Sequence, residues 1–248
     1  MSFIRRARTT LGQAFGRGPA SAAPLRPAAE LLPLLSLDLG CGAKKRAGFV
    51  GVDQRSLPGV DHVVDFAAEA LPFATGSVGQ VFSSHCIEHL ADPLRLLREV
   101  TRVCADGAAL ELWAPYSWHG DAHFWDHVSA WNERQFLHMG SWQHEHWAER
   151  MGARWCVQEL VFSIAPAVVR DLRANGVHPS FALRYYRDVA HELGVLVEIK
   201  KTGEPRGRAP RIGWATSREV ADRQPLPSAA EARLLRLRGL RASALGDA

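Results

Sequence analysis

The chain has 248 residues, 47% of them hydrophobic, enough to bury one sizeable core with some chain to spare. Its net charge of +4 sits at the two ends: residues 1–33 carry five arginines against Glu30, residues 203–248 nine against five acids, and the stretch between them is acidic on balance. That distribution argues against a nucleic-acid ligand for the central stretch, and no run of about eighteen uncharged apolar residues is present to span a bilayer.

Residues 1–33 read as a flexible basic tail rich in Ala, Pro and Arg. Ile4, Ala7, Leu11, Ala14 and Phe15 recur at helical spacing with Arg5, Arg6 and Arg8 opposite. A second reading of residues 1–20 is therefore a weak membrane-surface helix. The arginines are followed by no apolar core, which excludes a secretory signal. Leu34 to Leu39 reads as a short buried strand, and Gly40 and Gly42 after it let the backbone turn sharply and approach a ligand. Gly48 to Asp53 reads as a second strand ending in an acid that can accept both hydroxyls of a ribose. So few residues separate the two strands that the first helix should shrink to about one turn. His62 to Phe66 gives a third strand with Asp65 near its end, and Val78 to Ser84 a fourth.

Asp92-Pro93 starts a helix by the cap-then-proline rule, with Leu94, Leu97, Val100 and Cys104 inward and Arg95, Arg98 and Arg102 toward solvent. Ala109 to Ala114 forms a fifth strand, closed by Pro115. Residues 116–150 hold six of the eleven histidines and read as a wet, aromatic substrate lid, with Trp118 and Trp125 in the pocket. Trp155 to Ser163 and Gly194 to Lys200 are the last two strands. Helix patterns over Val168–Ala174 and Phe181–Glu192 lie between them. From Thr202 onward Pro, Gly and Arg dominate, so residues 203–248 read as a basic, mostly disordered tail. Ser228-Ala229-Ala230-Glu231 has capping-box spacing before a short amphipathic helix. Strands alternating with helical connections predict an α/β fold: a doubly wound, mostly parallel sheet of seven strands over residues 34–202, with a helical insertion before the last strand. Cys41, Cys86, Cys104 and Cys156 have no paired spacing and point to reduced thiols in the cytoplasm.

Asp38, Asp53 and Asp65 each close one of three successive strands. Over residues 34–118, with weaker similarity to about 202, the chain resembles the class I S-adenosylmethionine-dependent methyltransferases, in their type 11-like form. Asp38-Leu39-Gly40-Cys41-Gly42 matches the glycine motif that meets the methionine part of the cofactor. Asp53, with Gln54 beside it, matches the acid that holds the ribose, and Asp65-Phe66 the pair beside adenine. Ser84-His85-Cys86-Ile87-Glu88-His89-Leu90 is similar to the stretch that faces cofactor and substrate. Lys44 replaces a third glycine, and Lys44 or Lys45 is placed to meet the cofactor carboxylate; the alternative is a solvated pair in a turn.

The resemblance implies a Rossmann-like fold, S-adenosylmethionine as cofactor, and methyl transfer to oxygen or nitrogen of a small-molecule or glycan-like acceptor. The alternative is a methyltransferase-like subunit that binds cofactor without activity. For catalysis, His123 is the first choice of base, with Asp121 fixing its tautomer and His85 second. Their rival reading is that these side chains only shape the loop. His119, His123 and His127 are four apart and would share a helical face able to hold a metal, but Gly120 and the lack of a fourth ligand favour an ordinary loop and no metal. A dinucleotide oxidoreductase is a poorer reading, because Gly40-x-Gly42 lacks the third glycine.

Overall fold

The computed structural model describes residues 33–203 and 209–216. The expected helices near residues 4–15 and 228–240, and the membrane-surface reading of residues 1–20, lie outside the described residues. Eight strands form one sheet: β1 (Leu35–Leu39), β2 (Val50–Asp53), β3 (His62–Val63), β4 (Val78–Ser84), β5 (Cys104–Pro115), β6 (Arg154–Ile164), β7 (Glu192–Lys200) and β8 (Arg211–Thr216). Their order is β3-β2-β1-β4-β5-β7-β6-β8. β7 runs antiparallel to both neighbours, and every other pairing is parallel. The mixed α/β, mostly parallel architecture is thus as expected, with one strand more than the seven the sequence indicated. β8 lies past residue 202, where Arg and Gly conceal a short alternation, and Trp214 packs its ring 5.7 Å from that of Phe162. β8 joins the sheet beside β6, so the folded unit extends past the boundary expected at 202.

The helices are α1 (Pro93–Val103), α2 (Glu133–Leu137), α3 (His144–Met151), α4 (Pro166–Ala174) and α5 (Pro179–Tyr185). Asp92 caps α1 by accepting from the Arg95 N–H at 3.3 Å, with Pro93 at the first position. Leu96, Leu97 and Val100 of α1 join Leu37, Leu39, Val81, Leu110 and Leu112 in the main core. The second expected insertion helix is shorter than its pattern: α5 ends at Tyr185, and Glu192 already belongs to β7. Arg95 and Arg102 also differ from their solvent-facing expectation. Arg95 donates to the Ala68 and Glu69 carbonyls, and Arg102 to those of Leu71 and Phe73 at 2.8 and 2.9 Å. Two long cations thereby pin the loop after β3 onto α1.

No helix forms between β1 and β2; the connection is a set of turns. Asp38 accepts from the Arg46 N–H at 2.8 Å, which closes the loop against the sheet. The register aligns Asp38 with Phe82 and Phe82 with Glu111, so these three share one face. The Arg46 guanidinium lies 3.4 Å from the Phe82 ring centroid and 3.5 Å from a Glu111 oxygen. The cation, the ring and the carboxylate replace the missing helix as the anchor of this connection. Among the described residues, none of the helices is long and apolar enough to cross a membrane.

Candidate functional site

The glycine turn sits where β1 ends, and its geometry follows from two constraints. Gly40 has φ 70° and Gly42 φ 53°, in the left-handed region that glycine adopts freely. A Cβ on Gly40 would also lie 2.5 Å from Cys86 Cβ, so the turn and the residue after His85 are in direct contact. The Gly42 N–H donates to Asp53 Oδ2 at 2.8 Å, and the Arg55 N–H to Asp53 Oδ1 at 2.9 Å. Asp53, 5% exposed, is therefore fixed by backbone donors at the tip of β2. A carboxylate offers about four lone-pair sites, so acceptor capacity remains for two hydroxyls.

A cavity of about 450 Å³ opens beyond these strand ends, lined among others by Gly40, Asp53, Gln54, Phe66, His85 and Asp126. A larger apolar cavity of about 630 Å³ lies between α1 and residues 129–147, with Trp131, Phe136, Met139 and Trp147 in its wall. It contains neither a glycine turn nor a strand-end acid, so the smaller one is the candidate site.

Several expected residues do not line that cavity. Asp38 holds the Arg46 N–H, and burial raises its carboxyl pKa, partly offset by that hydrogen bond. Leu39 points into the core, 1% exposed. Cys41 is buried, which pushes its thiol up to about 11 and leaves it poorly nucleophilic. Lys45 pairs with Asp61 at 2.7 Å, so it is neither at the cavity nor a loosely solvated cation. Asp65 caps a local turn by accepting from the Ala67 N–H at 2.9 Å, while its neighbour Phe66 does reach the cavity. Ser84, at the end of β4, is buried.

His85 is the residue around which the open end is built. It has φ 52°, an uncommon conformation for a residue with a Cβ and one often found at functional sites. Its Nε2 lies 2.6 Å from Glu192 Oε1 and its Nδ1 3.2 Å from Glu88 Oε1. Burial alone would lower the imidazole pKa, but the hydrogen bonds to Glu192 and Glu88 prevail and lift it to about 9. At neutral pH His85 is an imidazolium held between two carboxylates. Glu192 was not legible as a site residue, because it stands 107 positions away at the start of an antiparallel strand.

The expected dyad does not assemble. Asp121 lies 3.4 Å from His119 Nδ1, and His123 Nε2 lies 3.1 Å from the Ser117 carbonyl, to which it must donate. A short 3₁₀ turn at Gly120–His123 separates the two side chains. His119, His123 and His127 share no helix, since that turn ends before His127. Trp125 is fully exposed, Trp118 is 43% exposed, and neither lines the cavity. Tyr116 is buried and donates to Glu133 at 3.0 Å.

The methyltransferase domain family model matches residues 35–112. Solved structures resemble the chain loosely. A chain from the complex of the Haloferax volcanii Trm112 methyltransferase activator with a methyltransferase is 20% identical, covering 69% of this chain and 84% of its own, with TM-score 0.44. A SAM-dependent methyltransferase from Archaeoglobus fulgidus is 14% identical over 66% of this chain and 86% of its own, with TM-score 0.45. Phosphoethanolamine N-methyltransferase 2 of Haemonchus contortus, in complex with S-adenosyl-L-methionine, is 16% identical over 68% and 49%, with TM-score 0.43.

Proposed function

We propose that this chain, whose residues 35–112 match the methyltransferase domain family model, is a class I S-adenosylmethionine-dependent methyltransferase that transfers a methyl group to an oxygen or nitrogen of a small-molecule or glycan-like acceptor. One observation carries the reading. Gly40, Asp53, Phe66 and His85, from four separate connections, line a single cavity at the carboxyl edge of the sheet. When bound, the cofactor supplies an electrophilic methyl on its sulfonium.

The residues present suit that cofactor. Gly40 brings bare backbone to the cavity wall, where an added Cβ would strike Cys86; Asp53 has two acceptor positions to spare, and Phe66 offers an apolar wall. Asp38, Leu39, Cys41 and Gly42 shape the turn from behind, and Gln54 flanks Asp53. In this reading the acceptor would meet the part of the cavity that His85, His89 and Asp126 line. There the chain's task is to align the nucleophile and exclude water, which can supply a large share of the rate enhancement by itself. His85 and Glu192 fix the wall of that end as an ion pair, and His85 is a positioning residue. A lining beyond the cofactor residues supports a transferase over a subunit that only binds cofactor. The catalytic unit of this proposal includes β8, and the four free thiols support a cytoplasmic setting.

The test is calorimetry with S-adenosylmethionine and its demethylated product, followed by a labelled-methyl transfer screen over amine, phenol, carboxylate and sugar acceptors. Asp53→Ala removes two hydrogen bonds to a charged acceptor, each worth roughly 1.5–3 kcal/mol, so binding should weaken about 10²–10⁴-fold. Absence of any binding to the wild-type chain would refute the reading.

A further inference from the structure

Three side chains beside the cavity meet in a way the methyl-transfer reading does not require. One ligand atom from each of Glu88, His89 and His127 lies within 4.8 Å of the other two. Glu88 is 1% exposed; its Oε1 meets His85 Nδ1 at 3.2 Å, while its Oε2 is buried with no hydrogen-bond partner. His127 Nδ1 is likewise buried without a partner. A buried carboxylate oxygen and a buried imidazole nitrogen left without a partner carry a desolvation cost that a bound cation would offset.

The surrounding backbone holds this arrangement in place. The N–H groups of Val128 and Ser129 both donate to the Glu88 carbonyl, at 2.9 and 3.1 Å, which fastens the loop bearing His127 onto the 3₁₀ turn Ile87–His89. His89 Nδ1 lies 3.0 Å from the Asp126 carbonyl. A carbonyl only accepts, so this bond places the proton on Nδ1 and leaves Nε2 with its lone pair. Metal-binding histidines are oriented by this kind of outer hydrogen bond. The His89 and His127 rings stand edge to face, with centroids 4.8 Å apart.

We propose that Glu88, His89 and His127 form a binding site for a divalent transition-metal ion, with open coordination positions toward the cavity that His89 and Asp126 line. Two imidazoles and one carboxylate suit zinc, cobalt or manganese better than the all-oxygen shells that calcium and magnesium favour. The sequence favours an ordinary loop over a metal face at His119, His123 and His127; of those three only His127 belongs to this group. If the methyl-transfer reading holds, the open positions would take oxygen atoms of the acceptor and acidify a hydroxyl among them.

Metal binding is measured without cofactor or acceptor, so its failure is separate from failure of the methyltransferase reading. The full chain, stripped with a chelator, is titrated with Co²⁺ by visible absorption and with Zn²⁺ by calorimetry. One ion per chain is expected, with nitrogen- and oxygen-ligand bands and no sulfur-to-cobalt charge transfer. His127→Gln, on a surface loop, should weaken binding by about 10–100-fold or more while leaving the circular dichroism spectrum unchanged. Glu88→Gln should do the same if it folds; because the site is buried there, His127→Gln is the deciding variant. No stoichiometric ion, a thiolate band, or equal affinity in wild type and His127→Gln would each overturn the proposal.

Discussion

Gly40→Ala tests the turn at the centre of the site most directly, because two separate penalties meet there. The new Cβ would lie 2.5 Å from Cys86 Cβ and 2.7 Å from its Sγ. The first of these atoms is fixed to the backbone and cannot swing aside. Overpacking of this kind costs about 1–3 kcal/mol, and a φ of 70° adds about 1–2 kcal/mol for a residue with a Cβ. The sum, about 2–5 kcal/mol, corresponds to a fall in Tm of roughly 4–20 °C for a domain of this size. Gly42→Ala separates the two effects. Its φ is 53°, but nothing lies within 4 Å of the added atom, so only the conformational part applies. That variant should lose about 1–2 kcal/mol, or roughly 2–8 °C. Cys86→Ala removes the sulfur contact but not the Cβ contact, so combining it with Gly40→Ala should restore little. Thermal unfolding followed by circular dichroism reads all four proteins. If Gly42→Ala melts as low as Gly40→Ala, or if Gly40→Ala melts with wild type, the steric account of this turn is wrong.

Two further outcomes are expected. His123→Gln should leave cofactor affinity and transfer rate close to wild type, because His123 is exposed, bonded to the Ser117 carbonyl and apart from Asp121; a rate loss of about 10²-fold or more would restore it as a general base. The Glu99 carboxyl is held below its ordinary 4.5 chiefly by the Arg102 hydrogen bond, against the opposing effect of burial. A depressed folded pKa means stabilisation that is present above that ordinary value and lost as pH falls through the folded one. The Tm gap between wild type and Glu99→Gln should therefore be open at pH 7 and close in the acid range below 4.5; a gap independent of pH would show that the pair contributes nothing electrostatic.

Local signals carried most of the sheet. β1, β2, β4, β5 and β6 are apolar runs bounded by glycine, proline or acid, and a hydrophobic run is a property of neighbours in sequence. The cap at Asp92 was legible for the same reason. What failed was whatever depends on distant partners. The loop between β1 and β2 needs no helix because Arg46 finds Phe82 and Glu111 across the sheet, and neither position announces this in the sequence. β8 was hidden by the arginines around it, although Ile212, Trp214 and Thr216 alternate with smaller residues as an edge strand does. Of the cavity residues proposed for the cofactor, Gly40, Asp53 and Phe66 were readable, since each ends or follows a strand. At the other cavity end, proposed for the acceptor, only His85 was, because Glu192 is brought to it by long-range pairing and Asp121 and His123 are parted by local turn geometry.

The placement of β7 orders events in time. As the chain leaves a ribosome, β1 to β5 can pair as soon as they emerge, and β5 then presents an open edge. β6 follows but cannot join that edge directly, because the slot between them belongs to a strand not yet made. Only when residues 192–200 arrive is the gap filled, with β5 on one side and β6 on the other. That same arrival delivers Glu192 to His85. A nascent chain that has finished the turn at Gly40 and the strand end at Asp53 thus still lacks the Glu192 wall beside His85, so under the proposed function the cofactor side of the cavity would be assembled before the acceptor side.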